Sequence, residues 1–123
     1  MKRALFVSFV LGSLPVSACE IIPVGFSNVL PAGTSVSIIE IEAKITYEPS
    51  VESFPPRRVD LKPQSKEEVF LSQCTTKCAK KIWGKMTVLD TQGGGSKTTV
   101  REKTYEAPPG QCFPMQHFRL GKS

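Results

Sequence analysis

The sequence predicts a small, mainly β protein: an immunoglobulin-like antiparallel β-sandwich, with room for one short helix within residues 66–82. Three observations carry this expectation. Ile39, Ile41, Ala43, Ile45 and Tyr47 alternate with Glu40, Glu42, Lys44, Thr46 and Glu48, the period of a strand with one face buried and one wet. Two β-rich runs, residues 83–89 and 98–105, flank Gly93-Gly94-Gly95, as in a hairpin. Ten prolines and nine glycines divide the rest into short segments, which suits about six strands rather than long helices. The Cys and Trp spacing of antibody-type domains is absent, so the expectation concerns architecture alone.

The first segment is of another kind. Lys2 and Arg3 precede eleven uncharged residues, 4–14. As a helix they would reach roughly 16 Å, about half the hydrocarbon core of a bilayer. That length suits the apolar region of a signal peptide rather than a permanent span. Pro15 breaks the run, and Val16-Ser17-Ala18-Cys19 follows. This tetrapeptide resembles the lipobox of bacterial lipoproteins, in which an aliphatic residue and two small residues precede a cysteine. The resemblance implies cleavage before Cys19, a diacylglyceryl thioether on its sulfur, and attachment to the cell envelope membrane through that lipid. A plain secretory signal cut after Ala18 is the alternative. Both readings export the chain. The expected organisation is a signal over 1–18, a lipidated N-terminus with tether and first strand over 19–33, and one sandwich domain over 34–123.

Along that domain the elements follow in order. Residues 21–26 are apolar but carry Pro23 and Gly25, which suggests a tether or edge strand. Pro31-Ala32-Gly33 reads as a turn. The alternating strand over 35–47 comes next. Residues 48–56, with Pro49, Pro55 and Pro56, read as a loop, and Val59 and Leu61 as a short strand. Residues 67–71 favour a strand leading to a cysteine-bearing loop. A helix remains open there, because Ser65 and Glu68 have capping-box spacing and Phe70, Cys74, Cys78 and Ile82 recur every four residues. The hairpin follows. In the tail, Phe113, Phe118 and Leu120 are candidates to close the core.

Composition limits function. Removing Lys2 and Arg3 leaves fourteen bases against eleven acids, a net +3. Residues 19–60 are net −3 and residues 61–123 net +6. Lys77, Lys80, Lys81 and Lys85 surround Trp83 as a candidate basic patch for an anionic polymer or lipid headgroup. Export argues against nucleic acid. Trp83 itself is expected in the core with its N–H bonded. His117 is the single histidine, and Asp60 and Asp90 are the two aspartates. No catalytic set is legible, and the chain is not expected to be an enzyme or to need a cofactor.

The four cysteines are the remaining chemistry. Disulfides are the default for an exported chain. Cys74, Cys78 and Cys112 are the candidates if Cys19 is lipidated. If it is not, all four allow two bridges in three connectivities. A Cys78–Cys112 or Cys74–Cys112 bridge would close a loop of about 35 residues, contributing on the order of 3–4 kcal/mol. The sharper alternative is a zinc or copper site from Cys74, Cys78, Cys112 and His117, with three thiolates and an imidazole. The expected function is a non-enzymatic cell-envelope binding or assembly module with a protein partner. The alternatives are that metal carrier and a soluble secreted disulfide-bonded binding protein.

Overall fold

The computed structural model describes residues 19–121; the signal-like segment over 1–18 lies outside the described residues. Seven strands form: β1 (Pro23–Asn28), β2 (Val36–Tyr47), β3 (Val51–Leu61), β4 (Glu68–Leu71), β5 (Ala79–Asp90), β6 (Lys97–Glu106) and β7 (Gln116–Leu120). They make a three-stranded sheet, β4-β1-β7, and a four-stranded sheet, β3-β2-β5-β6. The two pack face to face as the expected β-sandwich. Read as β6-β5-β2-β3, the larger sheet follows the G-F-C-C′ order of an immunoglobulin variable-type sheet. The departure from a purely antiparallel sandwich is β7, which pairs parallel to β1 from Val24↔Gln116 to Asn28↔Leu120. Among the described residues no helix is long and apolar enough to cross a membrane.

The alternation in β2 builds the centre of the larger sheet. Ile41, Ala43, Ile45 and Tyr47 are buried, while Lys44 on the other face is exposed. One residue departs from the expectation. Between Ile38 and Glu40 β2 advances two residues for one of β5, so Ile39 is an extra residue on that side, whereas against β3 the extra residue lies on β3. Ile38 is therefore fully buried, and Ile39 is half-buried. A period-two reading cannot see a bulge, because a bulge breaks the period.

The prolines depart from expectation in two places. Pro55 and Pro56 lie inside β3, not in a loop. β3 is an edge strand, and between Phe54 and Arg57 its register slips by one residue against β2. An edge position and a bulge are the settings where a missing N–H is tolerated. Pro23, expected at an edge or tether position, instead opens β1, the central strand of the smaller sheet. The first position of a strand also tolerates it. Residues 66–82 contain no helix: β4 ends at Leu71 and Cys74 and Cys78 sit in the loop before β5.

The core is a stack of aromatic rings and branched aliphatics between the sheets. Phe26 stacks on Phe118 with ring centroids 5.2 Å apart, and meets Phe70 edge-on at 6.0 Å. Phe54 stacks on Phe70 at 5.0 Å. Full burial of one such ring stabilises by about 1.5–3 kcal/mol. The Phe118 ring lies on Gly84 of β5. A Cβ there would meet three of its ring carbons at 2.5–2.7 Å, so only glycine leaves the ring its place.

One buried polar side chain joins the layers. Asn28 is 1 % exposed. Its Nδ2 donates to the carbonyls of Val36 and Leu61 at 2.9 and 3.0 Å, and its Oδ1 accepts from the Leu30 N–H at 3.1 Å. The amide thus ties the end of β1 to the start of β2 and the end of β3.

Candidate functional site

The sandwich closes on one flank and stays open on the other. Where β3 faces β4, Arg57 Nη1 lies 3.3 Å from Glu68 Oε2, and the guanidinium sits 4.3 Å over the Phe70 ring. The prolines and bulge of β3 further blunt that edge against strand addition. On the other side, among the described residues, Tyr105 of β6 meets Phe118 of β7 at 5.5 Å by ring centroid but no ion pair joins the two strands. β6 pairs with β5 without a register shift, from Lys81↔Glu106 to Asp90↔Lys97.

Antiparallel partners share a face. The core-facing residues of β5 are Ile82, Gly84, Met86 and Val88, all buried. Their partners on β6 are Tyr105, Lys103, Arg101 and Thr99. Of these four Tyr105 is half-buried and the others are exposed. The smaller sheet ends at β7, so β6 overhangs it and its inward face meets solvent.

Beneath that overhang runs a groove. One part, about 550 Å³, has Gly84, Met86, Tyr105 and Phe118 among its lining, with Arg101, Lys103 and Arg119. A second part, about 270 Å³, is lined by Val36, Val88, Thr99 and Leu120. Arg101 borders both, so the two adjoin at its side chain. Among the described residues neither Arg101, Lys103 nor Arg119 lies within 4.0 Å of a carboxylate oxygen. Glu102, between the two β6 cations in sequence, accepts from Trp83 Nε1 at 3.0 Å on the opposite face of the sheet. The groove therefore joins an apolar floor to three cations without an ion-pair partner among the described residues, Lys103 lying 4.9 Å from the Tyr105 ring centroid and Glu102 also bordering the groove.

The cysteines form two bridges at the far end of the molecule. Cys19 is bonded to Cys74 and Cys78 to Cys112, with Cα atoms 5.3 and 5.2 Å apart. Two disulfides fit an exported protein in an oxidising compartment. Glu20 and Thr75 exchange backbone hydrogen bonds of 2.8 and 3.0 Å, so residues 19 and 20 are fastened beside the loop of Cys74 ahead of β1. A sulfur in a disulfide cannot also carry a thioether. The bridge and the lipid are therefore alternative fates of Cys19.

The proposed metal set is not assembled. Its three sulfurs are consumed by the bridges, which leaves no thiolate among them. His117 lies on β7 and engages other groups. Its Nε2 is 2.7 Å from Ser27 Oγ and its Nδ1 is 3.2 Å from Glu67 Oε2. Burial lowers the His117 pKa below its ordinary 6.5; Glu67 pulls it up, and Arg119 pushes it down. The ring is thus neutral at pH 7, with Nδ1–H donating to Glu67 and Nε2 accepting from the Ser27 hydroxyl. Gly25 makes this possible, because a Cβ there would collide with the Glu67 carboxylate.

Serine, histidine and glutamate in a row invite a nucleophilic reading. The setting does not support it. Ser27 is 8 % exposed, and neither it nor His117 lines the groove cavities under β6. β1 is flanked by strands on both sides, so its amides serve the ladders rather than converging on an oxyanion. The chain acts here as a hydrogen-bonded clasp across β1, β7 and the approach to β4.

The lysine patch is divided. Lys81 and Lys85 reach Glu106 and Glu42 at 3.9 and 3.8 Å. Lys77 Nζ donates to Ser50 Oγ at 3.1 Å and Lys80 Nζ to the Gln111 carbonyl at 3.0 Å. Trp83 is not in the core: it is half-buried on the outer face, with Lys44 Nζ 5.3 Å from its ring. The groove cations were missed in the sequence. Their signal was there: Thr99, Arg101 and Lys103 are polar at the alternate positions where a covered strand would be apolar. Compared with models of known protein families, with curated proteins and with solved structures, the chain matches none.

Proposed function

We propose that this chain is an exported, non-enzymatic binding module of the cell envelope that takes a protein partner at the open flank between β6 and β7. The observation that carries this reading is the asymmetry of the sandwich. One edge carries prolines, a bulge and an Arg57–Glu68 latch. The other presents ten unbroken residues of β6 above a groove. Sheet edges left flat in this way are templates for strand addition.

A photo-crosslinking residue placed at Thr99 on β6, and separately at Arg58 on β3, tests the assignment in cells that export the protein. A discrete adduct from position 99 and none from 58 is expected. Equal labelling from both, or none from either, overturns it.

Anchoring rests on the fate of Cys19. The seating of Cys19 against Cys74 favours the soluble, doubly bridged module. The lipobox-like Val16-Ser17-Ala18-Cys19 favours the lipoprotein, in which Cys74 is a free thiol. Metabolic labelling with a fatty acid, read together with alkylation of free thiols, separates them. Acyl label with one alkylated cysteine supports the anchor; no acyl label with all four sulfurs blocked supports the bridge.

A further inference from the structure

We infer that the occupant of this flank is an extended segment of another protein carrying two acidic residues with one residue between them, added as a fifth strand on β6. The inference rests on the flank being the docking surface and goes further by naming the chemistry of the partner.

Arg101 and Lys103 are separated by one residue on β6 and share its inward face, because their partners Met86 and Gly84 are both core-facing. Side chains alternate with period two in an incoming strand as well. Residues opposite Arg101 and Lys103 therefore both point into the groove, and acids there meet two cations that have no carboxylate partner. Arg119 on β7 adds a third positive charge to the same groove. The residue between the acids lies opposite Glu102, on the outer face, and is best basic or neutral. The residues opposite Val100 and Tyr105 are best apolar, since Val100 is 50 % exposed and Tyr105 lines the floor. In antiparallel pairing the segment reads apolar, any, acid, basic or polar, acid, apolar.

A second copy does not fit by pairing its β6 with this one. Two-fold symmetric pairing of β6 with itself must set residues of one face against the same face. Centring on Arg101 opposes it to itself. Centring on Glu102 opposes Glu102 to itself and Arg101 to Lys103. Centring on Val100 opposes Lys97 to Lys103, and centring on Lys103 opposes that residue to itself. Each register places like charges directly across, which destabilises the pair. The edge is thus blunt toward itself and complementary to an acidic strand.

The test uses the oxidised protein and three fluorescently labelled peptides of ten residues. One carries the acid-x-acid pattern, one has the same composition with the acids adjacent, and one has lysine in place of both acids. Dextran sulfate serves as an anionic polymer probe. Binding is followed by fluorescence anisotropy, by competition for the polymer, with amide exchange read along β6. The patterned peptide is expected to bind and to slow exchange of β6 amides. Arg101→Glu with Lys103→Glu should weaken it roughly tenfold, while the lysine peptide gains on that variant. Both residues are exposed, and unchanged thermal unfolding checks that the variant folds.

Equal affinity for the adjacent-acid peptide, or competition by dextran sulfate without β6 protection, shows an unpatterned anion site and overturns the inference. So does failure of every peptide to bind. If position 99 still crosslinks a partner in cells that lacks the pattern, the docking flank survives and the acidic strand does not. If no crosslink forms either, both fall.

Discussion

Replacing Gly84 with alanine separates two expectations of opposite sign. In an ordinary strand position the change is stabilising by about 0.5–1 kcal/mol, because glycine loses more freedom on folding. At Gly84 the added methyl would lie 2.5–2.7 Å from Cε2, Cζ and Cδ2 of Phe118. Carbon atoms rest at roughly 3.5–4.0 Å, so the ring must retreat by about 1 Å. It has little room, lying 5.2 Å from Phe26 and 5.5 Å from Tyr105 by centroid, with the residue 4 % exposed. Overpacking of this kind costs typically 1–3 kcal/mol. The expected result is a net loss of about 1–2 kcal/mol, or a fall in Tm of roughly 4–16 °C for a domain of this size. Urea unfolding of the oxidised protein, followed by Trp83 fluorescence and circular dichroism, measures it. Phe118→Leu in the same chain should recover part of the loss, giving a coupling of about 0.5–3 kcal/mol between the sites. An alanine variant as stable as the parent, or a double variant whose effects simply add, refutes the packing described for Phe118.

Asn28→Asp should destabilise more than Asn28→Ala, although aspartate is the closer isostere. The carboxylate cannot donate to the Val36 and Leu61 carbonyls, and alanine leaves about 2–5 kcal/mol of unpaired groups; paired denaturation curves rank them. His117 makes folding acid-sensitive. Its folded pKa is below 6.5, so the unfolded chain takes up the proton first, and stability present above pH 6.5 is lost as pH falls below it. His117→Gln should flatten the stability profile in that window, and an unchanged slope refutes the neutral clasp. Replacing Cys78 and Cys112 together by serine opens a loop of sequence separation 34 and should cost about 4 kcal/mol by the chain-entropy estimate. Calorimetry of the variant against the oxidised parent checks it.

The strands legible in the sequence were those whose neighbours impose a simple period. β2 buries one face against the smaller sheet, and β5 and β6 join through a glycine-rich turn with Gly93 and Gly94 at positive φ of 75° and 81°. What was not legible depended on tertiary placement. Pro55 and Pro56 look like loop residues until β3 is known to be an edge. Pro23 looks like an edge residue until β1 is known to start there. Trp83 is expected in the core with its N–H bonded, yet its side is fixed by strand parity: Ile82 and Gly84 face inward, so Trp83 cannot. The disulfide partners were open because sequence spacing does not order strands. The groove required knowing that one sheet is a strand wider than the other, which no local pattern encodes.

The parallel pairing of β1 with β7 has a kinetic consequence. Phe26 cannot stack on Phe118, nor can the smaller sheet gain its third strand, until residues 116–120 are free to reach residues 23–28. Contacts of such separation are slow to form, because the loop between them must be closed before they stabilise anything. A chain threaded outward from its N-terminus would therefore stay unlocked through most of its passage, and lock only once β7 has followed. For a protein read as exported, late closure keeps the polypeptide in the form that can still be threaded.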